Sequence, residues 1–328
     1  MTVQITIIGL GQIGASIGLG LGEKGDMFKR VGHDRDPNIS RGALKIGAID
    51  RFSVNLPNSV SEADIVILAL PMDQIKETLS IIAEDPREDV VVMDTGPVKE
   101  VVSAWASELL PPKRHYVGLT PVLNPNYLHE PDAGLEVAHA DLFRGSFIGV
   151  VTPSGTVSEA VKLATDLIRM LGANPLFVDP VEIDSLMGST HILPQLMAAA
   201  LLNSTVDQPG WREARKVAGR AYAEVTSPII QFSDPQSLSS SVMLNKENIL
   251  RTLDSLTASL QAIRSDIAHD NEEGLDARFI RAREGREIWW DQRLNPNWEE
   301  GSSANVAMPS GSEFFGRLLG IRRKPKKK

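Results

Sequence analysis

The sequence contains no cysteine, and only 5% of its 328 residues are aromatic. Without thiols, disulfides, zinc–thiolate sites, iron–sulfur clusters and cysteine-based catalysis are excluded. The low aromatic content and the net charge of −8 disfavour nucleic acid as a partner for the body of the chain. The lack of cysteine also fits a reducing compartment, so we expect a cytoplasmic protein.

Long hydrophobic runs are equally scarce, and the clearest one has another explanation. Residues 5–22 are uncharged and mostly apolar, with a length that could suit a membrane span. The run is rich in glycine, contains Gln12 and Ser16, and has no basic segment before it. We therefore interpret it as a strand, a glycine turn and a helix of a soluble domain.

The glycine turn reads Gly9-Leu10-Gly11-Gln12-Ile13-Gly14. It follows an apolar strand, Val3 to Ile8, and it opens a helix of small and apolar residues, which is the context that gives this motif its meaning. The first glycine permits a tight turn, the second lets the backbone approach a pyrophosphate, and the third allows close helix–strand packing. The helix N-terminus favours phosphate. The pattern predicts a dinucleotide site.

An acidic residue at the end of the second strand indicates which dinucleotide is bound. Asp34 stands twenty residues after Gly14, where a carboxylate can accept hydrogen bonds from both adenine-ribose hydroxyls and select NAD. Arg35 leaves NADP open, because an arginine beside the ribose could hold a 2′-phosphate.

Strands and helices continue to alternate up to about residue 180. We expect strands at 65–70, 90–93, 116–119, 147–151 and 176–178, and a helix that begins with a capping box from Thr156 to Glu159. This is an α/β fold, a Rossmann-type doubly wound and mostly parallel sheet. Ligands bind at the carboxyl ends of such strands. The residues expected around the nicotinamide are Leu70, Pro71, Thr95, Gly96, Thr120 and Pro121.

Helical patterns replace the strands after residue 180. Residues 183–202 predict one apolar helix, bent at Pro194, buried inside the subunit or between subunits. Residues 245–268 predict a second helix with an apolar stripe, which fits packing within the chain or a dimer seam. The stripe consists of Ile249, Leu253, Leu256, Leu260, Ile263 and Ile267. We divide the chain into a nucleotide-binding domain (1–180), an all-helical dimerisation domain (181–295) and a flexible tail (296–328).

The tail has a composition of its own. Residues 298–312 are rich in Gly, Ser, Asn and Pro, as linkers are. A short apolar segment from Phe314 to Ile321 and a basic run follow. This tail could make weak contact with an anionic membrane surface, or it could be disordered and dock nowhere.

Several segments resemble the prephenate and arogenate dehydrogenase family of tyrosine biosynthesis. The glycine turn, the strand ending in Asp34, Asp94-Thr95-Gly96-Pro97-Val98-Lys99, residues 134–145, and Ile192-Leu193-Pro194-Gln195 carry the resemblance. It implies a homodimeric, NAD-dependent oxidoreductase with a Rossmann domain and a helical dimerisation domain. Its substrate would be a small cyclohexadienyl carboxylate, which loses a hydride to the nicotinamide and a proton to a histidine, and then decarboxylates.

Residues depart from the family pattern where its chemistry resides. Thr120 occupies the position of the family's catalytic histidine, and Pro97 occupies the position of a serine. Gln195 occupies the position of a second histidine, and the family's arginine position falls on Pro228-Ile229, where there is no arginine. Lys99 is retained.

The side chains that could carry the chemistry instead are His191, His129, Lys99, Thr120 and Gln195. We expect His191 to be an active-site histidine or else a core or surface residue. His129 is expected to be a lid residue or a solvated loop residue, and Lys99 the anion-binding group. Three hypotheses follow: the family reaction, a dehydrogenase of the same fold with another substrate, and a non-catalytic NAD-binding protein.

Overall fold

The computed structural model describes residues 2–130, 133–230 and 235–295, and positions 314, 316, 317, 320 and 321. The described residues form a nucleotide-binding half built on one sheet and a helical half. The strands are β1 (Val3–Ile8), β2 (Phe28–His33), β3 (Arg51–Phe52), β4 (Ile65–Leu68), β5 (Val91–Asp94), β6 (His115–Pro121), β7 (Phe147–Val151) and β8 (Asn174–Phe177).

The sheet has the order β3-β2-β1-β4-β5-β6-β7-β8. Neighbouring strands are parallel except for β6 and β7, which pair antiparallel. Every residue of β1 is buried, as expected for a strand covered on both faces. The chain reverses its direction of travel across the sheet between β1 and β4, the place where doubly wound sheets bind ligands. The predicted fold is confirmed.

Helices cover both faces of the sheet. They are α1 (Gln12–Gly22), α2 (Pro37–Lys45), α3 (Leu56–Val60), α4 (Met72–Ile82), α5 (Glu100–Leu109) and α6 (Ser158–Met170). One apolar core includes α1 and α6, and the other includes α4 and α5. The capping box predicted for α6 is wrong: Thr156 donates its hydroxyl to the Pro153 carbonyl, and Val157 occupies the cap position.

The second half is helical. It contains α7 (Pro180–Met187), α8 (Leu193–Thr205), α9 (Trp211–Val217), α10 (Arg220–Thr226), α11 (Pro235–Leu244), α12 (Lys246–Ala268) and α13 (Glu272–Leu294). The helix predicted over 183–202 is present as one continuous helical segment, Pro180–Thr205, in which a π-helical turn, Gly188–Ile192, joins α7 to α8, and Pro194 lies in the first turn of α8. Such π turns concentrate at functional sites.

The described part of the tail packs against the nucleotide-binding half. Phe314 is fully buried, with its ring edge-on to Phe28 at a centroid distance of 5.3 Å. Arg317 forms an ion pair with the buried Asp166 of α6, and Ile321 packs on the same core. The expectation of a tail that is flexible or free to touch a membrane is corrected for these residues. The predicted linker and most of the basic run lie outside the described residues.

Candidate active site

The glycine turn has the geometry that a dinucleotide requires. Gly9 has φ +88°, and a Cβ there would clash with the Ala69 carbonyl. A Cβ on Gly14 would clash with the Gly9 carbonyl, whereas one on Gly11 would point into open space. The turn is therefore packed tightly on its inner side and open on the side where a pyrophosphate would lie. Sequence reasoning missed Ala69, because nothing local marks it as the neighbour of Gly9.

Asp34 ties the second strand to this turn. One carboxylate oxygen accepts the Leu10 amide at 2.9 Å, and the other accepts the Asp36 amide at 2.9 Å. Its half-buried carboxylate thus lies beside the turn, where the adenine ribose would lie. Arg35 is exposed.

The other predicted cofactor residues lie at neighbouring strand ends. Leu70 and Pro71 follow β4 and are half-buried. The Thr95 amide donates to the Leu68 carbonyl at 3.0 Å, and the Gly96 amide to the Asp94 carboxylate at 2.8 Å. The structure thereby joins the carboxyl ends of β4 and β5, as the sequence predicts, and the residues present fit a nicotinamide dinucleotide.

A segment after β6 returns to the glycine turn. Gln12 donates its side-chain amide to the Val137 carbonyl at 3.1 Å, and the Ser16 hydroxyl accepts the His139 amide at 3.0 Å. Residues 135–139 are therefore anchored on the first turns of α1. The side chain of Gln12 supports this segment, a role that the motif alone does not reveal.

Lys99 does not offer a charge to an anionic substrate, which corrects the expectation for this residue. Its side chain is fully buried, and its ammonium lies 2.6 Å from the Asp94 carboxylate. Asp94 also accepts the Tyr116 hydroxyl at 2.5 Å. Burial lowers the pKa of Lys99, although the nearby Asp94 carboxylate favours its charged form. Burial and Asp94 raise the pKa of Tyr116 well above its usual value. This cluster braces the turn after β5.

Two buried oxygens at the altered positions have no hydrogen-bond partner among the described residues. They are the Thr120 hydroxyl at the end of β6 and the side-chain carbonyl of Gln195 on α8. Each residue is only 2% exposed. A buried polar atom left unpaired costs roughly 1–3 kcal/mol, so each of these oxygens favours a ligand as its hydrogen-bond partner.

His191 lies in the π-helical turn, four residues before Gln195. Gln195 donates its amide to the His191 carbonyl at 2.7 Å, which links the two residues along one side of the helix. Burial lowers the pKa of His191, so the ring is neutral at pH 7 and able to accept a proton.

His129 has different surroundings. It is exposed, and its ring contacts Trp290 of α13 at a centroid distance of 5.2 Å. Nearby, Arg293 of α13 donates to the Leu123 carbonyl at 2.6 Å. The loop after β6 is thus held by α13, and a catalytic role for His129 stays a prediction.

Comparison with known families agrees with both halves of the chain. The nucleotide-binding domain of prephenate dehydrogenase matches residues 17–176, and the dimerization domain of prephenate dehydrogenase matches residues 179–281. Together the two domains span most of the chain.

Individual relatives give the same result. Prephenate dehydrogenase from Bacillus subtilis is 26% identical over 88% of this chain and 76% of its own length. Cyclohexadienyl dehydrogenase from Zymomonas mobilis is 23% identical over 87% of this chain and 96% of its own length.

Solved structures share the fold. Prephenate dehydrogenase from A. aeolicus, in complex with hydroxyphenyl propionate and NAD+, has a TM-score of 0.78 at 22% identity, over 88% of this chain and 98% of its own. Arogenate dehydrogenase from Synechocystis has a TM-score of 0.68 at 19% identity, over 88% of this chain and 100% of its own. With both of its domains matched and its nucleotide turn intact, the chain belongs to the prephenate dehydrogenase family.

Proposed function

We propose that this chain is an NAD-dependent dehydrogenase that oxidises and decarboxylates a cyclohexadienyl carboxylate, prephenate or arogenate. The observation that carries the substrate half of this proposal is the pair of unpaired buried oxygens on Thr120 and Gln195. Both stand at positions where the family places substrate-facing histidines. A bound substrate would supply the partners that the described residues do not.

The cofactor half rests on the glycine turn and Asp34. When bound, NAD accepts the hydride that leaves the substrate. The turn from Gly9 to Gly14 and the N-terminus of α1 would hold the pyrophosphate. The Asp34 carboxylate would accept hydrogen bonds from the ribose hydroxyls and repel a 2′-phosphate, which favours NAD over NADP.

The proton that leaves the substrate hydroxyl requires a base, and threonine at position 120 is no base at neutral pH. We assign this role to His191, because it is neutral at pH 7 and lies on the same side of its helix as Gln195. The role of Gln195 is to bind and orient the substrate, since an amide does not accept a proton at this pH.

An assay of NADH absorbance at 340 nm with prephenate or arogenate tests the proposal. The unaltered chain should reduce NAD with one of the two substrates. His191→Asn should lower kcat by roughly a hundred- to ten-thousand-fold, the range contributed by a general base. His129→Asn tests the competing histidine and should retain activity if His191 is the base. A loss confined to the His129 variant would contradict the assignment of the base.

The same experiment separates the alternatives. The absence of histidine at position 120 and the sequestered ammonium of Lys99 favour either another substrate or a non-catalytic protein. Calorimetric binding of NAD without turnover of prephenate or arogenate would exclude the family reaction. A screen of other hydroxy and amino acids would then distinguish a dehydrogenase of different specificity from a protein that only binds NAD.

We also infer a cytoplasmic homodimer in which residues 1–180 bind the cofactor and residues 181–295 form the subunit contact. The segment Pro180–Thr205 is long and apolar enough to cross a membrane. Only 22% of its most apolar stretch is buried within one chain, so most of this stretch needs another partner. The segment contains the buried Asp184 and packs against α10 and α12. Its exposed side chains therefore suit a second subunit better than lipid.

The apolar stripe of α12 supports the same contact. Ile249 is buried within the chain, but Leu260 and Ile267 are 54% and 60% exposed. The double variant Leu260→Glu, Ile267→Glu should shift the mass measured by light scattering from dimer to monomer. Val54→Glu, which changes an exposed residue of the nucleotide-binding half, should leave the mass unchanged. A dimer that persists in the double variant would exclude this part of α12 from the interface.

A further inference from the structure

Asp184 joins the helical half to the turn that borders the proposed nicotinamide site. It lies on α7 and is 2% exposed. One oxygen of its carboxylate accepts the Lys99 amide at 2.5 Å, and the other accepts the Glu100 amide at 3.1 Å. These two amides begin α5, whose own cap position contributes no side-chain hydrogen bond. Asp184 thus caps a helix that lies more than eighty residues earlier in the chain.

The contacts continue on both sides of this carboxylate. On one side, the Asp184 carbonyl accepts the side-chain amide of Asn245 at 2.7 Å, and Asn245 stands at the start of α12. On the other side, the Lys99 ammonium binds Asp94, which holds the Gly96 amide. Buried hydrogen bonds therefore connect the first residue before α12 to the turn after β5.

We propose that Asp184 is a positioning residue, through which the helical half sets the turn Thr95–Gly96 against the cofactor. This proposal rests on the proposed function only in taking the molecule beside the turn to be the nicotinamide cofactor. A carboxylate at the N-terminus of α5 both satisfies free amides and interacts favourably with the helix dipole. Removing it frees the end of α5, and with it the turn that Lys99 and Asp94 brace. The α1 turn, which would hold the pyrophosphate, is not part of these contacts.

Titration of Asp184 gives a direct measure of this link. Burial raises the pKa of the Asp184 carboxyl to about 6, and the negative charge of Glu100 adds to this rise. The hydrogen bonds from the Lys99 and Glu100 amides and the positive charge of Lys99 oppose it. Amide NMR signals of Lys99 and Glu100 should therefore shift with an apparent pKa near 6. Asp184→Asn should abolish the shift. Asp179→Asn, which alters an exposed capping aspartate at the start of the same helix, should not.

Kinetics test the positioning role. Asp184→Ala should lower kcat about tenfold while the Kd for NAD stays within about twofold, and Asp184→Asn, which keeps one acceptor oxygen, should recover part of the loss. If the alanine variant does not fold, the asparagine variant provides the same test, with a smaller expected decrease in kcat. An unchanged kcat, or a parallel loss of NAD affinity, would overturn the proposal.

The two proposals fail separately. Absence of turnover with every substrate contradicts the proposed function but leaves the NMR experiment intact. In that case the Gly96 amide signal should still move in Asp184→Asn and stay in place in Asp179→Asn. A Gly96 signal that is the same in both variants would overturn the positioning role, whatever the reaction.

Discussion

Gly11 and Gly14 belong to one motif but serve it in different ways. Gly14 faces the Gly9 carbonyl so closely that no side chain fits, whereas Gly11 has open space beside it and an ordinary negative φ of −72°. The first is required by packing within the protein. The second is required only if a ligand occupies that space.

Gly11→Ala is therefore expected to fold normally and to bind NAD poorly. The new methyl group meets nothing within the protein but occupies the space for the pyrophosphate. We expect an unchanged melting temperature and a Kd for NAD raised at least about tenfold, or about 1.4 kcal/mol, by calorimetry. Gly285→Ala, in open space on α13, is the control. Normal NAD affinity in the Gly11 variant would contradict the placement of the pyrophosphate.

At the scale of elements, the turn between β5 and α5 depends on charges that are wholly out of water. Lys99 and Asp94 are both completely buried. Replacing one member of a buried pair strands the charge of the other, which typically costs about 3–5 kcal/mol. An exposed pair of the same kind, Lys113 with Glu88, lies at the far end of the sheet and is open to solvent.

Lys99→Met should thus destabilise the protein by about 3–5 kcal/mol in a urea titration, although methionine fills a similar volume. Lys113→Met should change the free energy of unfolding much less, because water already screens its pair. Adding Asp94→Asn to Lys99→Met should restore part of the loss, since the stranded charge is removed. Equal effects of Lys99→Met and Lys113→Met would show that the buried pair does not brace the turn.

At the scale of the whole molecule, residues near the C-terminus pack against the nucleotide-binding half. Phe314 fills a position in the core beside Phe28, and Arg317 faces Asp166, a buried carboxylate of α6. Neither matched family domain includes this segment. The contacts of Phe314 and Arg317 thus lie outside both matched domains, although they are made to the nucleotide-binding half.

Phe314→Ala should release this segment. Truncation of a buried phenylalanine typically costs about 3–5 kcal/mol of stability. Here the loss of stability cannot exceed the free energy that docking of the segment contributes. We expect a lower melting temperature and faster proteolytic removal of the C-terminus. Val217→Ala, at a position 84% exposed on α9, should change neither. Resistance to proteolysis equal to that of the unaltered chain would contradict docking of the tail.

Local sequence by itself determined the nucleotide-binding half. The β1 strand, the glycine turn, α1 and Asp34 are specified by short-range rules, because buried parallel strands, positive-φ glycines and helix N-termini each leave a mark within a few residues. The same rules located the strand ends that meet at the cofactor edge, and the resemblance located the altered residues Thr120 and Gln195.

Only the tertiary structure decided how those residues are used. The sequence predicts Lys99 to be an anion-binding group, but the structure pairs its ammonium with Asp94. Nothing near Asp184 in the sequence predicts that its carboxylate caps α5. The tail reads as a linker and a free end until Phe314 is found beside Phe28. In each case the deciding contact joins groups whose charge or apolar surface must be compensated once water is excluded, and that requirement acts between residues close in space, however far apart they lie in the chain.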